Sequence, residues 1–357
     1  MTDGSTGAPT GGSVDRVRTV FLGSGRFGLS TLGHLAARPD LDMVAVVTAP
    51  PRPVGRRQVE TPTPIEAAAR ELGLDVLAPA RLRDPAALAE ILGLKPALVV
   101  LADYGQIVPA ELLGLEHGAL NLHPSLLPRH RGATPVQAAI LAGDAETGVS
   151  LMRMDAGLDT GPLVAVERAP LSGDETAPAL ETRLAIVAAG LLARSLGPWL
   201  AGELEAETQP AQGGTLTRPL RRSDGRIDPR LPADQLERQV RAYQPWPGSF
   251  IALDDDRLVI LSAGVMPGVS DDEVGRIVPD VSGPALATTA GRLLLAEVQP
   301  AGGRPMTGEA YVRGRPSILG RKALIVDKGI PGGPRDTEAG VATVRAATAV
   351  DPRIGST

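Results

Sequence analysis

Through the first half of the chain, apolar runs of strand length alternate with segments of helical period. This is the pattern of βαβ units closing a mainly parallel sheet. The expected strands are 17–22, 43–48, 97–101, 118–122, 149–154 and 163–167, and the expected helices are 29–37, 64–72, 84–92 and 135–142. Pro64 and Pro135 suit first-turn positions, and Gly73 and Gly143 suit helix stops. A long apolar helix over 177–200, bent or broken near Gly197-Pro198, follows. The expectation is an α/β fold: a Rossmann-like, doubly wound, mainly parallel sheet in a catalytic domain over 16–203.

The polar stretch 204–217 reads as a linker. Beyond it, short β-like runs at 249–253, 258–261, 275–278, 285–289 and 293–299 are separated by turn residues. They predict a smaller C-terminal OB-like β-barrel domain over 218–322. A length of 357 residues suits two such cores. The Gly-, Thr- and Ser-rich lead-in 1–15 and the tail 323–357 lack a core period and are expected to be disordered.

Composition narrows the function. The longest apolar run, near 184–196, is interrupted by Arg194 and falls short of the roughly 20 residues a membrane span needs. The start has neither the basic residues nor the apolar stretch of a signal peptide. Absence of cysteine excludes disulfides, thiol nucleophiles and thiolate metal sites and, with no export signal, fits a cytoplasmic location. No membrane partner is expected, and a monomer is expected. The four histidines, His34, His117, His123 and His130, leave little for a metal, and none is expected. The net charge of −5 argues against nucleic-acid binding if it is averaged over the chain, but local charge matters more. Arg218, Arg221, Arg222, Arg226, Arg230, Arg238 and Arg241 outnumber Asp224, Asp228, Asp234 and Glu237 in one segment. Arg304, Arg313, Arg315, Arg321 and Lys322 form a second basic cluster. Each reads either as solvated surface arginine or as an RNA footprint.

Gly23, Gly25 and Gly28 follow the first strand with the G-x-G-x-x-G spacing of a dinucleotide-binding turn. A nicotinamide enzyme would place an acidic residue at the end of the second strand. That strand ends instead in Thr48-Ala49-Pro50-Pro51-Arg52, where Arg52 keeps an NADP oxidoreductase open as an alternative. Otherwise the glycines serve only a tight strand-to-helix turn.

More informative is Asn121-Leu122-His123-Pro124-Ser125-Leu126-Leu127-Pro128 at the end of an apolar strand. Residues i and i+2 share a face, so Asn121 and His123 should project together from a carboxyl end, where open α/β sheets bind ligands. Downstream, Met154-Asp155-Ala156-Gly157-Leu158-Asp159-Thr160-Gly161-Pro162 is a polar loop with two carboxylates, either of which could be an ordinary turn residue.

At these two stretches the chain resembles the 10-formyltetrahydrofolate-dependent formyltransferases, whose pattern is Asn-x-His, Ser-Leu-Leu-Pro and later Asp-Thr-Gly. The resemblance runs from about 17 to 320 and implies a catalytic trio of Asn121, His123 and Asp159, with Asp155 structural. It places folate contacts at Ser125, Leu126, Leu127 and Pro128, and at Tyr104 and Gly105 in a stretch similar to Ala-Ala-Tyr-Gly-Gln, which here carries Asp103. The basic loop after the second strand, with Arg52, Arg56 and Arg57, is similar to the loop with which one branch of the family engages tRNA. Arg226-Ile227-Asp228, Pro245-Trp246-Pro247-Gly248 and Gln299-Pro300-Ala301-Gly302 resemble the barrel domain of the same branch. Pro124 and Pro229 depart from its usual residues without touching the trio.

The implied reaction moves the formyl group of 10-formyltetrahydrofolate onto the α-amino group of initiator methionyl-tRNA at the start of translation. Negative charge develops on the formyl oxygen, and fixed donors must meet it. Asn121 can donate without changing charge, a cationic His123 adds a charge-assisted bond, and Asp159 orients the imidazole or takes a proton from the amine. The competing readings are an NADP oxidoreductase, a formyltransferase acting on a small amine such as an amino sugar nucleotide, and a catalytically inactive RNA-binding module.

Overall fold

The computed structural model describes residues 16–55, 57–254, 256–267 and 273–325, together with the two-residue strand at 335–336. The chain begins with β1 (Val17–Gly23), a single turn of tight helix at Arg26–Gly28, α1 (Leu29–Ala36) and β2 (Leu41–Val47). A hairpin of β3 (Arg52–Val54) and β4 (Val59–Thr61) precedes α2 (Pro64–Glu71), β5 (Val76–Leu77), α3 (Pro85–Gly93), β6 (Leu98–Ala102) and α4 (Ala110–Leu113). Then come β7 (Ala119–His123), β8 (Arg131–Gly132), α5 (Pro135–Ala142), β9 (Glu146–Arg153), β10 (Leu163–Pro170), α6 (Ala177–Leu200) and β11 (Thr215–Thr217). The remainder is α7 (Ala233–Ala242), β12 (Ser249–Ala252), β13 (Arg257–Met266), β14 (Ile277–Asp280), β15 (Gly283–Ala287), β16 (Arg292–Pro300), β17 (Met306–Thr307), α8 (Gly308–Gly314) and β18 (Arg335–Asp336).

Packing divides the chain into two compact units, each discontinuous in sequence. One holds the described residues up to Pro124 with Gly148–Ala169 and Glu181–Thr208; the other holds Ser125–Thr147, Pro170–Leu180 and the described residues from Gln209 onward. The first is built on a seven-stranded sheet of order β10-β9-β7-β6-β1-β2-β5. Strands β5, β2, β1, β6 and β7 run parallel and β9 runs antiparallel to β7, so the expected doubly wound sheet is present. Its inner strands carry long apolar runs, as strands covered on both faces do. Val20, Phe21, Leu22, Leu98, Val99, Val100, Leu120 and Leu122 are almost completely buried. Strand order reverses between β1 and β6, and such a reversal opens a crevice at the carboxyl ends.

The second unit is organised on an antiparallel sheet of order β12-β13-β16-β15-β14, with β17 added on β16. Its core gathers Ile227, Leu236, Val240, Ile251, Leu258, Ile260, Leu286, Leu293, Leu295 and Val298. Helix α7 packs on β13 and β16 and also on α5. Helix α5 therefore belongs with this core rather than with the sheet that precedes it in sequence.

Three local expectations differ from the structure. Helix α6 runs unbroken through Pro198, which falls in its last turn, where the missing amide removes little of the ladder. The stretch expected as a linker is tied down on both sides: Leu163 and Glu207 exchange backbone bonds, Gln209 accepts from the Arg131 guanidinium at 2.6 Å, and buried Thr215 accepts from the His130 amide at 2.8 Å. Order also extends past 322: Ala323 is buried and donates to Gly275, and Leu324 donates to Ala252. The expected lead-in 1–15, and the tail from 326 apart from β18, lie outside the described residues. Among the described residues no helix is long and apolar enough to cross a membrane.

The ordered end gives a first prediction. A chain stopped after Lys322 loses the two backbone hydrogen bonds of Ala323 and Leu324, and should be about 1–3 kcal/mol less stable than one stopped after Ile325. Urea unfolding of the two proteins measures the difference, and equal midpoints would place the end of the fold at 322.

Candidate active site

Strand β7 is buried at all five positions, yet it carries two polar side chains on one face. Asn121 and His123 retain only 6% and 5% exposure. A polar group this deep needs a partner. Asp159, from the loop between β9 and β10, supplies one: Asn121 Nδ2 donates to its Oδ1 at 3.5 Å, and His123 Nδ1 lies 3.7 Å from its Oδ2. Both distances are long for hydrogen bonds, so the amide and the imidazole are held near one carboxylate without being locked to it.

The loop is shaped to present that carboxylate. Asp155 accepts from the Gly157 amide at 3.0 Å and from the Thr160 hydroxyl at 2.8 and 2.9 Å, closing a turn on itself. Arg153 donates to the Pro162 carbonyl at 2.9 Å. At Gly161 a Cβ would fall 1.9 Å from the Arg153 carbonyl oxygen, so the loop can cross here only on glycine. Asp159 itself adopts φ +53°, a left-handed conformation that costs a non-glycine residue energy and clusters at functional sites. The two carboxylates of this loop thus do different jobs.

Asp103 leaves β6 with φ +56° and turns its side chain toward the glycine turn after β1. Its Oδ2 lies 1.5 Å from the position a Cβ on Gly25 would take, so Gly25 admits this carboxylate. Although part of the residue touches solvent, surrounding protein atoms displace enough water to raise its carboxyl pKa. Glu181 on α6 is also shifted upward, first by burial and then by the Asp103 charge, against the opposing pull of Arg26. Sequence reading missed Glu181; a carboxylate inside an otherwise apolar helix was the available signal. Next to Asp103, burial pushes the Tyr104 phenol up to about 12, and its hydroxyl has no hydrogen-bond partner among the described residues. Gly105 follows, exposed.

Ser125, Leu126, Leu127 and Pro128 continue from β7 into the second unit. Ser125 is fully buried and donates to the Arg129 carbonyl at 2.7 Å, while Leu127 and Pro128 are buried and Leu126 is half-buried. The basic loop expected after the second strand is the β3–β4 hairpin, paired Arg52 to Thr61 and Val54 to Val59. Arg52 and Arg57 are exposed; Arg56 lies outside the described residues. In the basic segment of the second unit, Arg218, Arg230, Arg238 and Arg241 pair with Asp224, Asp228, Asp234 and Glu237. Exposed Arg221 and Arg222 make no such pair among the described residues. Also among the described residues, no three His, Asp or Glu side chains gather closely enough to hold a metal ion.

An amide and an imidazole sharing one carboxylate at a strand end suit transfer of an acyl group, and comparison with known proteins narrows the class. The sequence matches the formyl transferase family over residues 17–196 and the formyl transferase C-terminal domain over 219–316. The chain belongs to the formyl transferase family. It is 42% identical over 300 residues to a protein of Roseiflexus sp. (strain RS-1) named methionyl-tRNA formyltransferase, covering 84% of this chain and 92% of the relative. A protein of the same name from Halorhodospira halophila is 43% identical over 308 residues, 85% of this chain and 98% of the relative. Among solved structures, the N-formyltransferase of Helicobacter canadensis superposes with a TM-score of 0.58 at 16% identity, covering 78% of this chain and 98% of its own, which establishes likeness of fold.

Asp103 gives the second prediction. A carboxyl whose folded pKa is raised binds its proton more tightly when folded, so its effect on stability worsens as pH rises above the unfolded value of 3.8. Asp103→Asn should therefore be more stable than the parent at pH 7, and the gap should close as pH falls below 3.8. Denaturant midpoints across pH measure it; a constant gap would remove Asp103 as the cause.

Proposed function

We propose that this chain transfers the formyl group of 10-formyltetrahydrofolate to the α-amino group of methionine on initiator tRNA, as a cytoplasmic, monomeric enzyme. What carries the reading is the convergence of Asn121, His123 and Asp159 in a chain related to methionyl-tRNA formyltransferases along most of its length. The neutral amine attacks the formyl carbon. As the new C–N bond forms, charge collects on the formyl oxygen, and Asn121 and His123 donate to it until the bond to folate breaks. Asp159 orients His123 and accepts the proton released by the amine, directly or through water, and that proton is delivered to the folate nitrogen as its bond to the formyl carbon breaks, so tetrahydrofolate leaves as the neutral amine.

Tyr104, Gly105, Ser125, Leu126, Leu127 and Pro128 are the proposed folate contacts. The buried Tyr104 hydroxyl, without a partner among the described residues, supports a heterocycle there, because an orphaned donor is costly unless a ligand satisfies it. Arg52, Arg56 and Arg57 are the proposed tRNA contacts, and an exposed arginine hairpin that buries nothing supports an electrostatic grip. We also keep the division into a catalytic segment, 16–203, and a tRNA-binding segment, 218–322, as a functional rather than a packing boundary. The NADP reading loses its site: the Asp103 carboxylate sits against Gly25, where a pyrophosphate would need the glycine backbone.

The test is to incubate the purified protein with 10-formyltetrahydrofolate and charged initiator tRNA and to measure formylmethionine after deacylation. Formyl transfer to an amino sugar nucleotide but not to the tRNA would overturn the assignment. Asn121→Ala, His123→Ala and Asp159→Ala should each lose about 10² to 10⁴ in kcat with folate affinity much less affected. Asp155→Ala should lose less activity than Asp159→Ala; the reverse order would exchange the roles of the two carboxylates. Arg57→Ala should raise the KM for methionyl-tRNA and flatten its salt dependence, leaving folate affinity intact.

A further inference from the structure

The β3–β4 hairpin is exposed at every position of both strands and, among the described residues, pairs only with itself. Such a two-stranded ribbon is marginal in water, so its direction must be set at its base. Thr48, completely buried at the end of β2, lies there. Its hydroxyl is 2.7 Å from that of Thr63, where the chain returns from the hairpin, and 3.4 Å from that of Ser24 in the turn after β1. The Ala49 amide donates to the same Ser24 hydroxyl at 3.1 Å. Thr63 also caps α2, accepting from the Glu66 amide at 3.0 Å, with Pro64 at the first helical position. On its other side, Ser24 donates its amide to the carbonyl of Asp103 at the exit of β6 at 2.9 Å. Strand β6 is the neighbour of β7, with Leu101 opposite Asn121. A continuous chain of hydrogen bonds thus runs from both ends of the hairpin, through three hydroxyls, to the strand beside the trio.

We propose that Thr48, acting through Ser24 and Thr63, is the positioning residue of the basic hairpin. It clamps both ends of segment 49–62 to the turn after β1, so that the hairpin arginines and the catalytic strand end grip one tRNA in fixed register. The inference rests on the hairpin being the tRNA grip proposed above. Thr48→Val keeps the shape of the side chain and removes the hydroxyl; it leaves the Thr63 and Ser24 hydroxyls without their common partner.

In the full-length enzyme, Thr48→Val should raise the KM for methionyl-tRNA about three- to tenfold, the size of one lost hydrogen bond. Saturating kcat should stay within about twofold of the parent, folate affinity should be unchanged, and Thr48→Ser should restore the parent KM. Because the chain has no cysteine, Val59→Cys and Glu90→Cys can carry spin labels on the hairpin and on α3. Their distance distribution should broaden in Thr48→Val and narrow again in Thr48→Ser. An unchanged KM and an unchanged distribution in Thr48→Val would overturn the clamp. So would an equal loss of kcat and folate affinity, which is general damage rather than lost register. If Thr48→Val does not fold, Ser24→Ala takes the same measurements and the same outcomes decide. Arg57→Ala separates the two ideas: a normal tRNA KM and salt slope there would overturn the tRNA grip and the register it needs, whereas an impaired Arg57→Ala beside a normal Thr48→Val would overturn the clamp alone.

Discussion

The candidate site depends on the conflict created by β7, a strand with no exposed position that nevertheless ends in an amide and an imidazole on the same face. Burial without a partner would cost each group about 1–3 kcal/mol. One carboxylate lies within 3.5 Å of the amide and 3.7 Å of the imidazole, and the loop between β9 and β10 places it there. The Asp155 turn, the crossing at Gly161 and the left-handed backbone at 159 shape the loop that carries Asp159. They make sense as the means of bringing Asp159 to the strand end.

The main strands and helices were legible because each buried element has a period or an apolar run that burial imposes. The hairpin was not read as two strands because nothing in it is buried: prolines at 51, 53, 62 and 64 read as loop, and only the backbone pairing makes it a ribbon. Helix α7 was overlooked through its high charge, although the buried trio of Leu236, Gln239 and Val240 has helical spacing. Helix α5 was recognisable, but its allegiance was not, since which core a helix joins is decided by residues far along the chain on α7, as with Arg238 and Leu141, 97 positions apart.

At the site, spacing alone brought Asn121 and His123 together, because a strand's alternation is local. The choice between Asp155 and Asp159 rested on family resemblance. In the structure the two differ by which hydrogen bonds they keep within their own loop. The direction of Asp103 and the hydroxyl chain through Thr48 were out of reach of any local pattern. Both depend on the register of parallel strands that come together from far along the chain.

The way the chain threads back and forth between its two units bears on the order in which it can fold as it is synthesised. The first unit has its last segment once Thr208 has emerged. The second collects Ser125–Thr147 and Pro170–Leu180 much earlier, but the sheet they join begins only at Ser249. Helix α5 must therefore wait, apolar face exposed, while about 100 further residues are made, and a ribosome that stalls within the C-terminal segment releases a chain whose early half still carries an unpaired surface.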